Sequence, residues 1–341
     1  MPLISPLPPA GGALAMLIVY VARDGALQRV DPSPGEPLPS DLVWIDLISP
    51  TPDEDKLVEA TIGVGVPTRE EMVEIEPSSR LYVENGARYM TASVLCHVDT
   101  RMPSLSAVSF ILTPKALVTV RYEDPKPFSL FAARACKANG VQPIRTPEGV
   151  LLGLFDAVID RIADILERVG ADVDDLSHLI FERAGAQAYR KPYQELLKMI
   201  GRKGDLLSKS RESLVTLQRV VLYLSAEIEG VKPSKETKAQ LRPMQRDVAS
   251  LIEHAGFLAN KVTFLLDAML GMVSLAQNDI VKLFSVMAVV FLPPTLVASI
   301  YGMNFETMPE LQWRFGYPMA LGLMLISAIV PYIVFKWRRW L

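Results

Sequence analysis

The chain has 341 residues, half of them apolar and 21% charged, with a net charge of −3 at pH 7. A balance this close to neutral lacks the basic excess of a nucleic-acid binder. Two distant cysteines, Cys96 and Cys136, exclude a disulfide framework and a thiolate zinc site. The histidines His97, His178 and His254 are scattered, without the spacing of a metalloprotease helix.

Residues 1–16 are rich in Pro, Gly and Ala and read as a flexible N-terminus. No basic residue precedes Arg23, so a secretory leader, which needs a charged start, is not expected. Residues 17–145 read as a mixed α/β domain. Strand-like runs cover Leu17–Val21, Leu42–Asp46, Arg88–Val94, Ala107–Leu112 and Ala116–Val120. Thr51-Pro52-Asp53-Glu54 and Thr68-Arg69-Glu70-Glu71 carry the capping residues of helix starts.

Residues 146–232 read as a helical hairpin. In its first arm apolar positions recur at three and four (Leu151, Leu154, Val158, Ile162, Ile165, Val169), and acids from Asp156 to Asp175 occupy the other face. The second arm ends at Gly230, with Pro233 beyond it. Residues 234–282 predict a stalk helix. Its apolar positions follow a heptad: Val248, Leu251, Ala255, Leu258, Val262, Leu265, Met269, Met272 and Ala276. A sustained 3.5-residue repeat specifies packing against other helices.

The stalk then runs without a turn signal into residues 283–301, which hold no charged residue or histidine. Residues 316–335 are equally clean. Each run is about 20 residues, roughly what crosses a 30 Å hydrocarbon core as a helix. We therefore expect two transmembrane helices, joined by an extracytoplasmic loop at 302–315 and followed by a basic tail at 336–341. Lys282, Lys336, Arg338 and Arg339 flank the runs, whereas the loop carries Glu306 and Glu310 against one Arg314. The positive-inside rule then places both termini in the cytoplasm.

One stripe of the first run is small or polar: Asn278, Val281, Ser285, Ala288, Leu292, Thr295, Ser299 and Gly302. The opposite stripe, Leu283, Val286, Val290, Pro293 and Val297, is wholly apolar. In lipid, a small and polar stripe is either a helix-packing surface or a water-lined one. Asn278 and Asn304 at the two ends suit the second reading. Rings of neutral carbonyl oxygens accept hydrogen bonds from the shell of a hydrated ion, and Mg²⁺ loses its water most reluctantly. Leu292 would be a hydrophobic constriction that closes by dewetting. Two spans enclose no polar path alone, so conduction would need an oligomer. Glu306 and Glu310 would draw cations to the mouth.

Tyr301-Gly302-Met303-Asn304, followed by Phe305-Glu306-Thr307-Met308-Pro309-Glu310-Leu311, resembles the signature of the CorA family of divalent-metal channels. Asn278-Asp279-Ile280-Val281-Lys282 and Phe291-Leu292-Pro293-Pro294-Thr295 carry the same resemblance, and Val43-Trp44-Ile45-Asp46-Leu47 extends it weakly into the N-terminal domain. It implies an α+β cytoplasmic domain of α/β/α sandwich type, with a long stalk helix and two C-terminal transmembrane helices, in a funnel-shaped homopentamer of the inner (plasma) membrane. It further implies Mg²⁺ as the transported and regulatory ion, with Co²⁺ and Ni²⁺ also carried. Gly302, Met303 and Asn304 would form the selectivity ring. Asp247 resembles a stalk acid that binds regulatory metal, though a solvated helix position is an equal reading. Two departures stand out: Thr307 replaces a frequent aromatic residue, and Trp337 interrupts the terminal basic cluster.

A zinc transporter of the same superfamily shares this architecture. A membrane-anchored metal-dependent enzyme using Asp156–Asp175 is a remote alternative, since those acids lie along a regular helical face with no histidine partner. No cofactor is expected, and no P-loop suggests an ATP-driven pump. We expect a passive, membrane-potential-driven influx channel gated by intracellular divalent metal, and no enzyme.

Overall fold

The computed structural model describes residues 16–23, 25–32, 37–74, 76–100, 102–137, 146–181, 193–230, 235–303, 308–309 and 313–338. Nearly all of the predicted flexible N-terminus therefore lies outside the described residues. The chain divides into two compact units, 1–265 and 266–341.

In the first unit the strands are β1 Met16–Arg23, β2 Ala26–Val30, β3 Leu42–Ile48, β4 Leu81–Glu84, β5 Ala87–Cys96, β6 Ser104–Leu112 and β7 Leu117–Arg121. They form one sheet in the order β2-β1-β3-β7-β6-β5-β4. Every neighbouring pair is antiparallel except β3 and β7. The helices are α1 Pro52–Ile62, α2 Arg69–Val73, α3 Pro77–Arg80, α4 Lys126–Ala135, α5 Pro147–Phe181, α6 Tyr193–Gly230, α7 Lys235–Tyr301 and α8 Gly316–Trp337.

Period-two alternation divides the strand residues between two covered faces. On one, Val19, Val21, Ile45, Leu47, Val118 and Val120 pack with Val58 of α1 and Met72 of α2. On the other, the Trp44 ring meets Phe131 of α4 edge-on at 5.7 Å, and Phe110 meets Phe155 of α5 at 5.1 Å. Helices on both faces make the expected α/β/α sandwich. Both expected capping boxes form. The N–H groups of Glu54 and Glu71 donate to the hydroxyls of Thr51 and Thr68, and the two glutamates accept from the threonine N–H groups.

A polar chain threads the aromatic face. Trp44 Nε1 donates to Thr119 Oγ1 at 2.9 Å, and that hydroxyl donates to Asp46 Oδ1 at 2.7 Å. Arg121 Nη2 donates to Asp46 Oδ2 at 2.9 Å, and Nη1 reaches Asp124 at 2.6 Å. Asp46 and Arg121 are both buried. The parallel register pairs Asp46 with Thr119 and Ile48 with Arg121, which aligns all three polar side chains on one face.

β4 is short and pairs β5 only as far as Met90, so the outer edge of β5 is open beyond it. At Ser93, α6 takes the place of a strand. The Ser93 N–H donates to Thr216 Oγ1 at 3.0 Å, and Ser213 Oγ donates to the Ser93 carbonyl at 2.7 Å. Covering an edge this way removes a template for pairing with another chain.

The first part of α7 completes a helical layer with α5 and α6. Gly170 lies against Leu258 and Gly204 against Val262. Lys203 pairs with Asp172, and Lys261 with Asp174. Val248, Ala255, Leu258, Val262, Leu265 and Met269 of the predicted heptad are buried, while Leu251, Met272 and Ala276 are half-buried. α7 is one helix of 67 residues, about 100 Å long at 1.5 Å per residue, so the predicted stalk and first span are a single element.

Candidate ion-conduction site

Among the described residues two helices are long and apolar enough to cross a membrane, the C-terminal part of α7 and α8. Within the second unit they are covered along one face only. On the span of α7 the half-covered positions are Val286, Val290, Pro293, Pro294, Val297 and Tyr301, and on α8 they include Gly322, Ser327, Pro331 and Phe335, beyond buried Gly316 and Ala320. The spacing of three and four keeps each set on one stripe. The predicted apolar face of α7 is thus the covered one. Leu283 departs from it and is exposed.

The small and polar stripe stays open. Asn278, Val281, Ser285, Ala288, Leu292, Thr295 and Ser299 are all exposed, Leu292 by 66%. Two hydroxyls on it are bent back onto the helix. Ser285 Oγ donates to the Val281 carbonyl at 2.8 Å and Thr295 Oγ1 to the Phe291 carbonyl at 2.7 Å. With their protons used internally, both oxygens present only lone pairs outward. Pro293 and Pro294 lack an N–H, so the carbonyls of Val289 and Val290 lose their usual helical donors. The bond to Phe291 supports the backbone one residue further on.

The helix closes at Gly302, whose N–H donates to the Ala298 carbonyl at 2.9 Å. A Cβ there would lie 3.0 Å from that same oxygen, tighter than an ordinary contact, so glycine lets the chain turn off the helix end. Met303 follows in the turn, 46% exposed. Asn304, Glu306 and Glu310 lie outside the described residues, as does Thr307.

Asp247 is exposed on α7, and its charge together with that of Asp160 reaches Asp156 on α5. Partial burial, then Asp160 and then Asp247, push the Asp156 carboxyl above its ordinary range, with Arg134 opposing. No group of three metal-ligating side chains occurs among the described residues. The acidic face of α5 instead holds helix-pairing bridges from Asp172 and Asp174 to Lys203 and Lys261. A cavity of about 100 Å³ between Arg69, Ser106, Tyr122 and Glu123 lies in the α/β layer and touches none of the predicted site residues.

Sequence reasoning did not find the tethered turn between β5 and β6. There Asp99 meets Lys126 of α4 and, at 3.4 and 3.5 Å, Arg161 and Arg168 of α5. His97, with φ of +54°, lies 3.2 Å from Glu123. Nothing in the local sequence links residues that far apart.

A soluble α/β/α layer joined by one long helix to a pair of C-terminal spans defines the chain as an integral membrane protein. The family described as CorA-like Mg²⁺ transporter protein matches residues 39–338, and the chain belongs to that family. It is 34% identical over 326 residues to the magnesium transport protein CorA of Pasteurella multocida, covering 96% of this chain and all of that one. It is 35% identical over 328 residues to the magnesium transport protein CorA of Escherichia coli K12, again covering 96% of this chain and all of that one. The structure of the CorA magnesium transporter from Methanocaldococcus jannaschii has the same fold, with a TM-score of 0.71 and 18% identity, covering 94% of this chain and 97% of that one.

Proposed function

We propose that this chain is the subunit of a homopentameric channel that admits Mg²⁺ across the inner membrane, with both termini in the cytoplasm. The observation that carries the reading is the stripe from Asn278 to Gly302, which stays open while the apolar stripe of the same helix is covered. Its acceptor-only hydroxyls, of Ser285 and Thr295, suit an ion that keeps its hydration shell, because they receive hydrogen bonds from bound water. Relatives named magnesium transport proteins, matched over nearly the whole chain, support the same ion.

In this reading Gly302, Met303 and Asn304 select at the outer mouth, with Glu306 and Glu310 raising local cation concentration. Val281, Ala288 and Ser299 continue the lining. Leu292 narrows the path with an apolar ring, which conducts only when wetted. Entry is passive. An inside-negative potential of 100 mV favours a divalent ion by about 4.6 kcal/mol, at roughly 2.3 per charge, so no ATP is needed. Co²⁺ and Ni²⁺ share the path. Intracellular Mg²⁺ closes it through acids of the cytoplasmic unit, Asp247 among them.

The test is Mg²⁺ and Zn²⁺ influx into proteoliposomes under an imposed potential. Voltage-driven Mg²⁺ entry that Co²⁺ competes with, abolished by Asn304→Ala in an intact oligomer, is expected. Zn²⁺ entry that ignores voltage and follows a proton gradient would overturn the magnesium reading. Unchanged Mg²⁺ uptake in Asn304→Ala would remove the selectivity ring.

A further inference from the structure

The approach to α8 groups exposed aromatic residues around an arginine. Trp313, Phe315 and Tyr317 are exposed by 53%, 63% and 76%, and the rings of Trp313 and Phe315 meet edge-on at 6.2 Å. The backbone between them is held in a tight turn, the Gly316 N–H donating to the Trp313 carbonyl at 2.9 Å. Arg314 sits among the rings, exposed and without a carboxylate partner among the described residues. Three large exposed rings grouped at one helix end form an apolar patch of the kind that marks a membrane or partner contact.

The spacing points to the membrane. α8 has 22 residues, about 33 Å, which matches the roughly 30 Å hydrocarbon core. Trp337, 82% exposed, marks its other end between Lys336 and Arg338. With one end at one headgroup layer, Trp313, Phe315 and Tyr317 fall at the other. The rings of Trp313 and Tyr317 are amphipathic and settle at that depth, where one edge is apolar and the other wet, and Phe315 adds apolar area beneath them. An arginine there meets phosphate oxygens, for which its planar fork is matched.

We infer that Trp313, Arg314, Phe315 and Tyr317 form a lipid anchor, in which the rings seat in the headgroup layer and Arg314 binds the phosphate of an anionic phospholipid. The anchor fixes the C-terminal end of the segment that begins at Gly302 and so limits how far the mouth of the spans can move. It depends only on α8 crossing the membrane, not on which ion passes.

The test uses the full chain in nanodiscs, with Trp337 and Trp340 replaced by Phe. Trp44 is fully buried in the sheet, out of reach of lipid bromines, so quenching then reports Trp313. Phosphatidylglycerol or phosphatidylcholine brominated near the top of the acyl chain is the probe, each diluted to the same fraction in the other lipid unbrominated. Trp313 should be quenched more by the brominated phosphatidylglycerol, and Arg314→Gln should bring the two lipids to equal quenching while Arg314→Lys keeps part of the difference. No quenching by either lipid would place the rings in water or against a second copy and overturn the anchor. Equal quenching in the parent, or a difference that survives Arg314→Gln, would overturn the selection of an anionic phospholipid by Arg314. Should the double Phe variant fail to fold, the native chain is compared with Trp313→Phe alone, and quenching unaffected by that change sinks the proposal.

Discussion

Asp46 and Arg121 are 75 residues apart, yet their side chains are 2% and 4% exposed and joined by three hydrogen bonds. Burial alone would lower the affinity of the Arg121 guanidinium for its proton. Asp46, and then Asp124, outweigh that and hold its pKa above the ordinary value. A buried pair adds little net stability, but half of one is destabilising, because the remaining charge has no water to return to. Asp46→Ala should therefore lower the unfolding free energy of the first unit by about 3–5 kcal/mol. Thermal unfolding of the detergent-solubilised chain measures it, and a loss under about 1 kcal/mol would show that water reaches Arg121. At the proposed pore, Leu292→Ser replaces the one bulky apolar side chain of the open stripe below Met303. It should raise Mg²⁺ influx several-fold at internal Mg²⁺ that closes the parent channel, because a polar ring stays wet. Influx that still shuts off would place the gate elsewhere.

Elements differ in how much of them could be read along the chain. The two spans and the heptad of α7 were legible because uncharged length and a 3.5-residue period are written in consecutive residues. β1, β3, β5, β6 and β7 were legible from runs of β-branched and other apolar residues. β2 and β4 were not anticipated, although Gly25 and the pair Asn85-Gly86, all at positive φ, are the hairpin signals that open each return. β4, at Leu81–Glu84, is too short to show alternation. The open edge of β5 was invisible because its partners, Ser213 and Thr216, lie over a hundred residues away on a helix. Which stripe of the first span stays open was half-legible: composition separated the two stripes, and only the structure shows which is covered.

The hydroxyl contacts on Ser93 close the open edge of β5. Valine at both Ser213 and Thr216 leaves a buried N–H and C=O unpaired, at a cost of about 1–3 kcal/mol for each group. The Ser93 amide should exchange hydrogen faster while amides of β3 and β7 keep their protection. Uniformly faster exchange would mean a global rather than a local loss. At the tether, the hydrogen bond from Lys126, then the charges of Lys126, Arg161 and Arg168, hold the Asp99 carboxyl below its usual range. A depressed carboxylate stabilises above its unfolded pKa and stops doing so as pH falls through its folded one. Asp99→Asn should thus cost stability at neutral pH, by under about 1 kcal/mol because the side chain is half in water. The deficit should vanish in acid. A deficit that persists there would make the contribution one of shape rather than charge.

The molecule as a whole has one feature that no residue or element contains: a span whose polar stripe is left open by its own chain. Two helices cannot surround an ion, and the Ser285 and Thr295 oxygens keep lone pairs facing outward that hydrocarbon does not satisfy. In the proposed channel the covering comes from other copies, arranged about an axis so that each contributes the same stripe. In that proposed arrangement every conducting path contains one Asn304 from each subunit. Co-reconstituting parent and Asn304→Ala chains, mixed before assembly, should therefore lower Mg²⁺ influx more steeply than in proportion to the parent fraction, since one altered subunit spoils a ring shared by all. The curve is read at fixed total protein, with the mixed oligomers checked by size. A straight line would mean that each chain transports alone, and the open stripe would then be a packing surface rather than the wall of a pore.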